Sequence, residues 1–396
     1  MYPTVHPMPA GWEIGKGTEG RPLHGIRVLD VSRILAGPHC AMILGDLGAD
    51  VVKVEPPAGD ETRRWGPPFF GDTAAYYFAA NRNKRSVALD LKSSEGQRDL
   101  LELMVQADVL VQNFTADLAD RLHVDAASVE LANPRCIHVT LSGYGPSQPD
   151  RRGYDLMAQA LGGLMSVTGE RGGRGLKVGV PIADLTAGTY AATAIVSALL
   201  DRNVSGRVAR IEVSLIDAVT SLLANQAMSW LLCQSVPEPL GNNHPTVVPY
   251  GVFKTATEGL VVAVASDVQY QDLCTAIDRA DLGADPRYLT NALRVTNRDE
   301  LVAALNSHLV SAPAATWIAR LAAAGIPCGM VRTVPDALAS ADVQSVATVN
   351  HDTLGPIKQV LGPIRLNGNY LDPVLPPPTL DQHHGELLKK GGRAGD

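Results

Sequence analysis

Short runs of β-branched residues alternate with helix-period stretches through the first part of this chain. Residues 26–31 (IRVLDV) read as a buried strand; Pro38 and an apolar-periodic helix follow, stopped after Leu47 by Gly48. Residues 50–54 (DVVKV) form the next strand. Ser93, Ser94 and Glu95 supply cap chemistry for a helix over 94–106, which leads to a strand over 108–111. A further strand over 136–141 ends at Ser-Gly-Tyr-Gly-Pro. Parallel strands need crossovers, and helices are the usual ones. The alternation therefore predicts an α/β fold with a doubly wound parallel sheet.

Further along, residues 172–175 turn glycine-rich, and 184–200 form a stretch of small residues with alanine at 187, 191, 192, 194 and 198. That composition reads as one tightly packed helix. A strand over 210–213 and a helix over 214–233 follow. Pro237, Pro239, Pro245 and Pro249 then mark a linker or boundary. Residues 251–264 read as a hairpin turning at Glu258-Gly259, with helical patterns to Ala324 and a strand over 327–331. The tail over 372–378 is proline-rich and extended.

Composition removes several function classes. The 396 residues are 45% hydrophobic and 19% charged, enough apolar mass for a sizeable core, which excludes a disordered chain. The net charge of −7 lacks the basic excess of a nucleic-acid binder. The five cysteines, Cys40, Cys136, Cys233, Cys274 and Cys328, are odd in number and widely spaced with no CxxC. They argue against a disulfide framework or a structural metal site and for a reducing compartment. The opening MYPTVHPMPAGWEIGKG lacks the apolar core of a signal peptide, and 218–237 is too polar to span a membrane. The expectation is a soluble cytoplasmic protein.

The turn after the first strand reads Ser-Arg-Ile-Leu-Ala-Gly-Pro, with Gly37 alone where a dinucleotide fingerprint needs three glycines. Glu55, at the end of the second strand, is then better read as a solvated carboxylate than as a ribose ligand. No Walker A motif occurs, so NAD and ATP are set aside. Asn81-Arg82-Asn83-Lys84-Arg85 precedes a strand over 86–91, with Arg63, Arg64, Lys92 and Arg121 elsewhere. The cluster admits two readings, a phosphate site or a solvated charged face.

These stretches together resemble the class III coenzyme A transferases, the formyl-CoA transferase and carnitine CoA-transferase family. The carrying segments are GIRVLDVSRILAGP, LGDLGADVVKVEPPAGDETRRWGP, NRNKRSVALDL, ADVLVQNF, SGYGP, GYDLMAQALGGLMSVTG and GVPIADLTAG, in this order. The resemblance implies a large Rossmann-like CoA-binding domain over 1–210 plus 330–396. It also implies a smaller α+β domain over 219–324, linkers between them, and an interlocked ring-like homodimer. It places the catalytic aspartate on Asp184, which periodicity alone reads as a helix N-cap. A carboxylate with a pKa near ~4 is ionised at pH 7 and needs no base, and a helix N-terminus would keep it charged. CoA contacts carry over to Ala36, Leu89, Lys92, Asn113, Phe114 and Arg121, with Arg33 in the same first loop. Acyl-CoA and small carboxylic acids are the implied substrates, with no tightly bound cofactor, no metal, and no nucleic-acid or membrane partner.

Two alternatives share the fold: an α-methylacyl-CoA racemase, and a non-catalytic acyl-CoA-binding protein. The racemases place a histidine where this chain has Tyr154, and a two-base racemase needs that imidazole. Where the formate enzyme has a lysine before Gly-Tyr, this chain has Ser142. In place of that enzyme's run of glycines stands Gly241-Asn242-Asn243-His244-Pro245. His244 is read either as facing the acyl group or as an ordinary loop histidine.

Overall fold

The computed structural model describes residue 12 and residues 17–388; the opening segment read above for a signal peptide lies mostly outside them. The chain separates into two compact units. One comprises 1–164, 177–227 and 344–396, the other 165–176 and 228–343. The small-domain range expected from the resemblance, 219–324, thus begins inside the first unit and stops short of the second unit's end.

The first unit is built on six strands: β1 (Arg27–Asp30), β2 (Asp50–Glu55), β3 (Lys84–Ala88), β4 (Val109–Gln112), β5 (Ile137–Ser142) and β6 (Arg210–Ser214). Every neighbouring pair is parallel, in the order β3-β2-β1-β4-β5-β6. Both sheet faces are covered, so Val28, Leu29, Val109, Leu110 and Val111 are fully buried. Strand order reverses between β1 and β4. In open parallel sheets, ligands bind in the crevice beyond the carboxyl ends of the strands at this point.

Helices pack in both core clusters of the sheet. Helix α1 (Ala36–Asp46) follows β1, and α2 (Ser94–Met104) lies on the chain between β3 and β4, with the Ser93 hydroxyl accepting from Gly96 N–H. The alanine-rich stretch is a 24-residue helix, α3 (Ile182–Ser205). It has the length and hydropathy of a membrane span. Its Ala183, Ala187, Gly188, Ala191 and Ile195 nonetheless belong to the buried core with Ala36, Cys40 and Val139, as in a core helix. A Cβ on Gly188 would lie 2.5 Å from the Ala36 carbonyl oxygen, so the absent side chain lets α3 lie against α1.

The helix expected over 214–233 is broken in two: α4 (Leu215–Ser221) and α5 (Ala224–Cys233). Ala224 has φ 42°, a left-handed conformation that cannot continue a right-handed helix.

The second unit contains the expected hairpin, β7 (Tyr250–Phe253) and β8 (Leu260–Ala263), with β9 (Cys328–Met330) added antiparallel to β8. Its core joins Phe253, Leu260, Tyr270, Leu305, Trp317 and Leu321. Strands β10 (Val346–His351) and β11 (Gly355–Val360) pair as an antiparallel hairpin in the first unit, which the sequence reading did not identify.

Candidate active site

Arg64, Lys92 and Arg121 are exposed, but the run of Arg82, Lys84 and Arg85 is neither a phosphate site nor a solvated face. Strand β3 starts at Lys84 rather than Ser86, and the cations are buried in ion pairs with earlier carboxylates. Lys84 meets Asp30 at 2.9 Å, Arg85 meets Asp50 at 2.6 Å, and Arg82 meets Asp46 at 2.5 Å. Glu55, expected to be solvated, is 1% exposed; it takes Arg63 at 2.7 Å and accepts from the Ser86 hydroxyl. Lys53 meets Asp60 at 3.0 Å. Burial depresses the Lys84 ammonium to about 8, against the opposing pull of Asp30. Burial works against the Asp60 charge, yet Lys53 and the Thr62 hydrogen bonds hold its carboxyl down to about 2.

The crevice beyond these strands holds a cavity of about 260 Å³. Its lining joins Arg33 from the loop after β1, Ala36 at the start of α1, Asn113 and Phe114 after β4, Ser142 at the end of β5, Tyr154 beyond it, and Asp184 on α3. A second cavity of about 80 Å³ is lined by Leu89, Lys92, Leu122, Arg33, Phe114 and others. Arg33 and Phe114 line both, with the guanidinium carbon 4.8 Å over the Phe114 ring centre. The structure therefore gathers Asp184, Arg33, Ala36, Asn113 and Phe114 around one cavity, and Leu89 and Lys92 around its neighbour. Arg121 lines neither cavity; it is exposed, with Nε donating to the Asp117 carbonyl at 3.2 Å. Arg33, Arg151 and Arg152 line the larger cavity, and among the described residues none of the three pairs with a carboxylate. Arg151 instead stacks 3.8 Å over the Tyr144 ring and donates to Gln148.

Asp184 is the third residue of α3, not its N-cap. The cap position is Pro181, which offers no side-chain acceptor. Asp155 does the capping from a short helix earlier in the chain, Asp155–Leu161; its Oδ1 accepts from Ala183 N–H at 2.8 Å. Gln159 donates to the other Asp155 oxygen at 2.7 Å and accepts from Val178 N–H at 2.8 Å, fixing the approach to α3. This arrangement corrects the expected protonation state. Burial, and then the negative charge of Asp155, push the Asp184 carboxyl from 3.8 up to about 7. The helix N-terminus does not prevail, because a second carboxylate already occupies it. Tyr76 senses the same field: burial first, then Asp184 and Asp155, raise its phenol to about 12.

Sequence reasoning missed Asp155, Gln159 and Tyr76. Asp155 was visible only as the residue after Tyr154, and nothing local links it to Ala183, 28 positions away. In the second unit, His244 Nδ1 accepts from Thr246 N–H at 3.1 Å and its ring lies 5.1 Å from that of Tyr250, which are loop-stabilising contacts. Among the described residues no group of three or more His, Cys, Asp or Glu side chains is arranged to hold a metal ion.

The fold is thus an α/β protein whose parallel sheet carries, at its switch point, a half-buried carboxylate and arginines that pair with no carboxylate among the described residues. Residues 23–384 match the family described as CoA-transferase family III, and the chain belongs to that family. It is 37% identical over 377 residues to succinyl-CoA:glutarate CoA-transferase of Mus musculus, covering 93% of this chain and 86% of the relative. It is 36% identical to succinate–glutarate CoA-transferase of Agrobacterium fabrum, covering 93% and 95%. A CAIB/BAIF family protein from Brucella suis, known as a crystal structure, superposes with a TM-score of 0.81 at 36% identity, covering 92% of this chain and 97% of the other.

Proposed function

We propose that this protein moves coenzyme A from a dicarboxylic acyl-CoA, succinyl-CoA foremost, to a second small carboxylic acid, with Asp184 as the nucleophile. An Asp184 oxygen attacks the donor thioester carbon; the C–S bond breaks and CoA leaves as thiolate, giving an aspartyl–acyl anhydride. The thiolate attacks the aspartyl carbonyl and releases the donor acid, leaving an aspartyl-CoA thioester. The acceptor carboxylate attacks that thioester, forming a new anhydride and freeing the thiolate. Attack of the thiolate on the acceptor's acyl carbon yields the new acyl-CoA and restores the Asp184 carboxylate. One thioester replaces another, so the cycle balances without ATP. Burial serves the chemistry, because water would hydrolyse the anhydride.

The observation that carries this reading is the placement of Asp184 in one cavity with Arg33, Arg151 and Arg152, cations that form no ion pair among the described residues. The similarity to two succinate–glutarate enzymes supports a dicarboxylic donor and acceptor. The CoA contacts we assign are Arg33, Ala36, Leu89, Lys92, Asn113, Phe114 and Arg121. Tyr154 lines the cavity at the position where a racemase would need an imidazole.

We further propose a homodimer in the cytoplasm. Tyr190, Leu200 and Val204 leave an apolar stripe on the outer side of α3, with Val204 81% exposed, and all five cysteines are free thiols.

The test is an acceptor screen: succinyl-CoA with glutarate and other small acids, products read by mass spectrometry, alongside a 2-methylacyl-CoA in heavy water. Transfer without deuterium at C2 supports the proposal. Deuterium at C2 without transfer supports the racemase, and binding without either supports the non-catalytic alternative.

A further inference from the structure

The loop between β1 and α1 is held in a way that hydrogen-bond satisfaction alone does not require. Ser32 N–H and hydroxyl both donate to Asp30 Oδ1, and the Ser32 carbonyl accepts from Lys53 Nζ at 3.1 Å. Arg33 is gripped on both sides by one side chain: its N–H donates to Asn113 Oδ1 and its carbonyl accepts from Asn113 Nδ2, each at 2.8 Å. Ile34 N–H donates to Asp60 Oδ2 at 3.2 Å. Ile34 has φ 68°, a left-handed conformation that is a genuine outlier for a β-branched residue. Such strain persists only where the surroundings impose it, and it gathers at functional sites.

Asp60 is the common element. Its Oδ2 serves both Ile34 N–H and Lys53, and Lys53 in turn holds Ser32. Its Oδ1 takes Thr62 N–H at 2.9 Å and the Thr62 hydroxyl at 2.7 Å, which fixes the carboxylate plane. Asp60 is 1% exposed and Lys53 is fully buried. Two buried charges are a poor source of stability compared with well-packed apolar residues, so a conformational role accounts for them better. The loop they shape presents Arg33 and Ala36 to the larger cavity.

We infer that Asp60 is a positioning residue for the CoA donor. With Lys53 it keeps Ile34 left-handed and thereby sets Arg33 and Ala36 on the cavity wall. The inference rests on the assignment of that wall to the donor. Asparagine cannot replace the carboxylate, because one of its two positions becomes an N–H₂ donor facing either Thr62 or the Ile34–Lys53 side.

The experiment is steady-state kinetics on the full-length protein, with donor and acceptor varied separately, for Arg33→Ala, Asp60→Asn, Ile34→Gly and the double variant. Asp60→Asn is expected to raise the donor KM about tenfold, the scale of one lost charge-assisted hydrogen bond, with kcat and acceptor KM within about twofold. Ile34→Gly removes the penalty for the left-handed conformation, so in the Asp60→Asn background it should recover most of the donor KM. Arg33→Ala separates the two layers of the argument. If it leaves donor KM unchanged, the wall is wrongly assigned and the inference falls with it. If it raises donor KM while Asp60→Asn does not, or lowers kcat and both affinities alike, the positioning role alone is overturned. Should Asp60→Asn not accumulate in folded form, the double variant is compared with Ile34→Gly. Equal donor KM values support the inference, and a tenfold gap between them refutes it.

Discussion

Replacing Asp184 by asparagine should stabilise the protein at alkaline pH while abolishing its activity. In the folded chain the Asp184 carboxyl is raised from 3.8 to about 7 by burial and by Asp155. The folded state therefore holds this proton more tightly than the unfolded state does. The stability contributed by that proton is fully present below pH ~4 and is lost as pH rises through about 7. At ~1.36 kcal/mol per pH unit, the full displacement corresponds to about 4 kcal/mol by pH 8; the side chain is only partly enclosed, so solvent screening reduces it to about 2 kcal/mol. Asparagine keeps the shape and carries no charge. With an unfolding entropy of ~2.1 cal/mol/K per residue over the chain, about 2 kcal/mol raises the thermal midpoint by about 2 °C. Thermal melts of wild type and Asp184→Asn at pH 5 and pH 8 measure this directly. The variant should gain about 2 °C at pH 8 and about 1 °C at pH 5, because part of the proton's contribution is already lost between pH ~4 and 5. Equal midpoints at both values, or a variant weaker at both, would refute the claim that this carboxylate is strained by its surroundings.

Three further outcomes follow from the same geometry. If the ionised form of Asp184 is the nucleophile, kcat/KM should rise with pH through an inflection near 7, where the buried carboxyl titrates; a profile flat from pH 5 to 8 contradicts it. Lys84→Met strands the fully buried Asp30 with Lys53 as its remaining cation, and should cost about 3–5 kcal/mol by chemical denaturation. A loss under about 1 kcal/mol would show that the pair is dispensable. Arg121→Ala should raise donor KM modestly and only at low salt, since Arg121 is exposed and outside both cavities; an effect that persists at high salt would place it against a phosphate in a desolvated contact.

The sheet was legible because its strands are short, β-branched and separated by helix-period segments, a local pattern. Arg33, Ala36, Asn113 and Phe114 were named by the resemblance to the CoA transferases rather than by the local pattern; the structure places them after β1 and β4, around one cavity. The charge network was not. Lys84 and Asp30 are 54 positions apart, and Arg85 and Asp50 are 35 apart, so each cation looked free until the sheet brought β1, β2 and β3 side by side. The protonation of Asp184 was misjudged on similar grounds. Its position near a helix start suggested a stabilised anion, but the Asp155 carboxylate that caps α3 arrives from another element. The break at Ala224 left no signature in the apolar pattern, which runs unbroken across it.

The central claim is that Asp184 becomes covalently linked during turnover. Mixing the protein with succinyl-CoA and no acceptor, then quenching with hydroxylamine, should convert either the anhydride or the aspartyl-CoA thioester to a hydroxamate. Peptide mass spectrometry should find that mass change on the fragment carrying Asp184 and on no other, and Asp184→Asn should show neither label nor turnover. Transfer activity with no label at Asp184, or wild-type turnover by an Asp184→Asn protein that has not deamidated, would contradict the account.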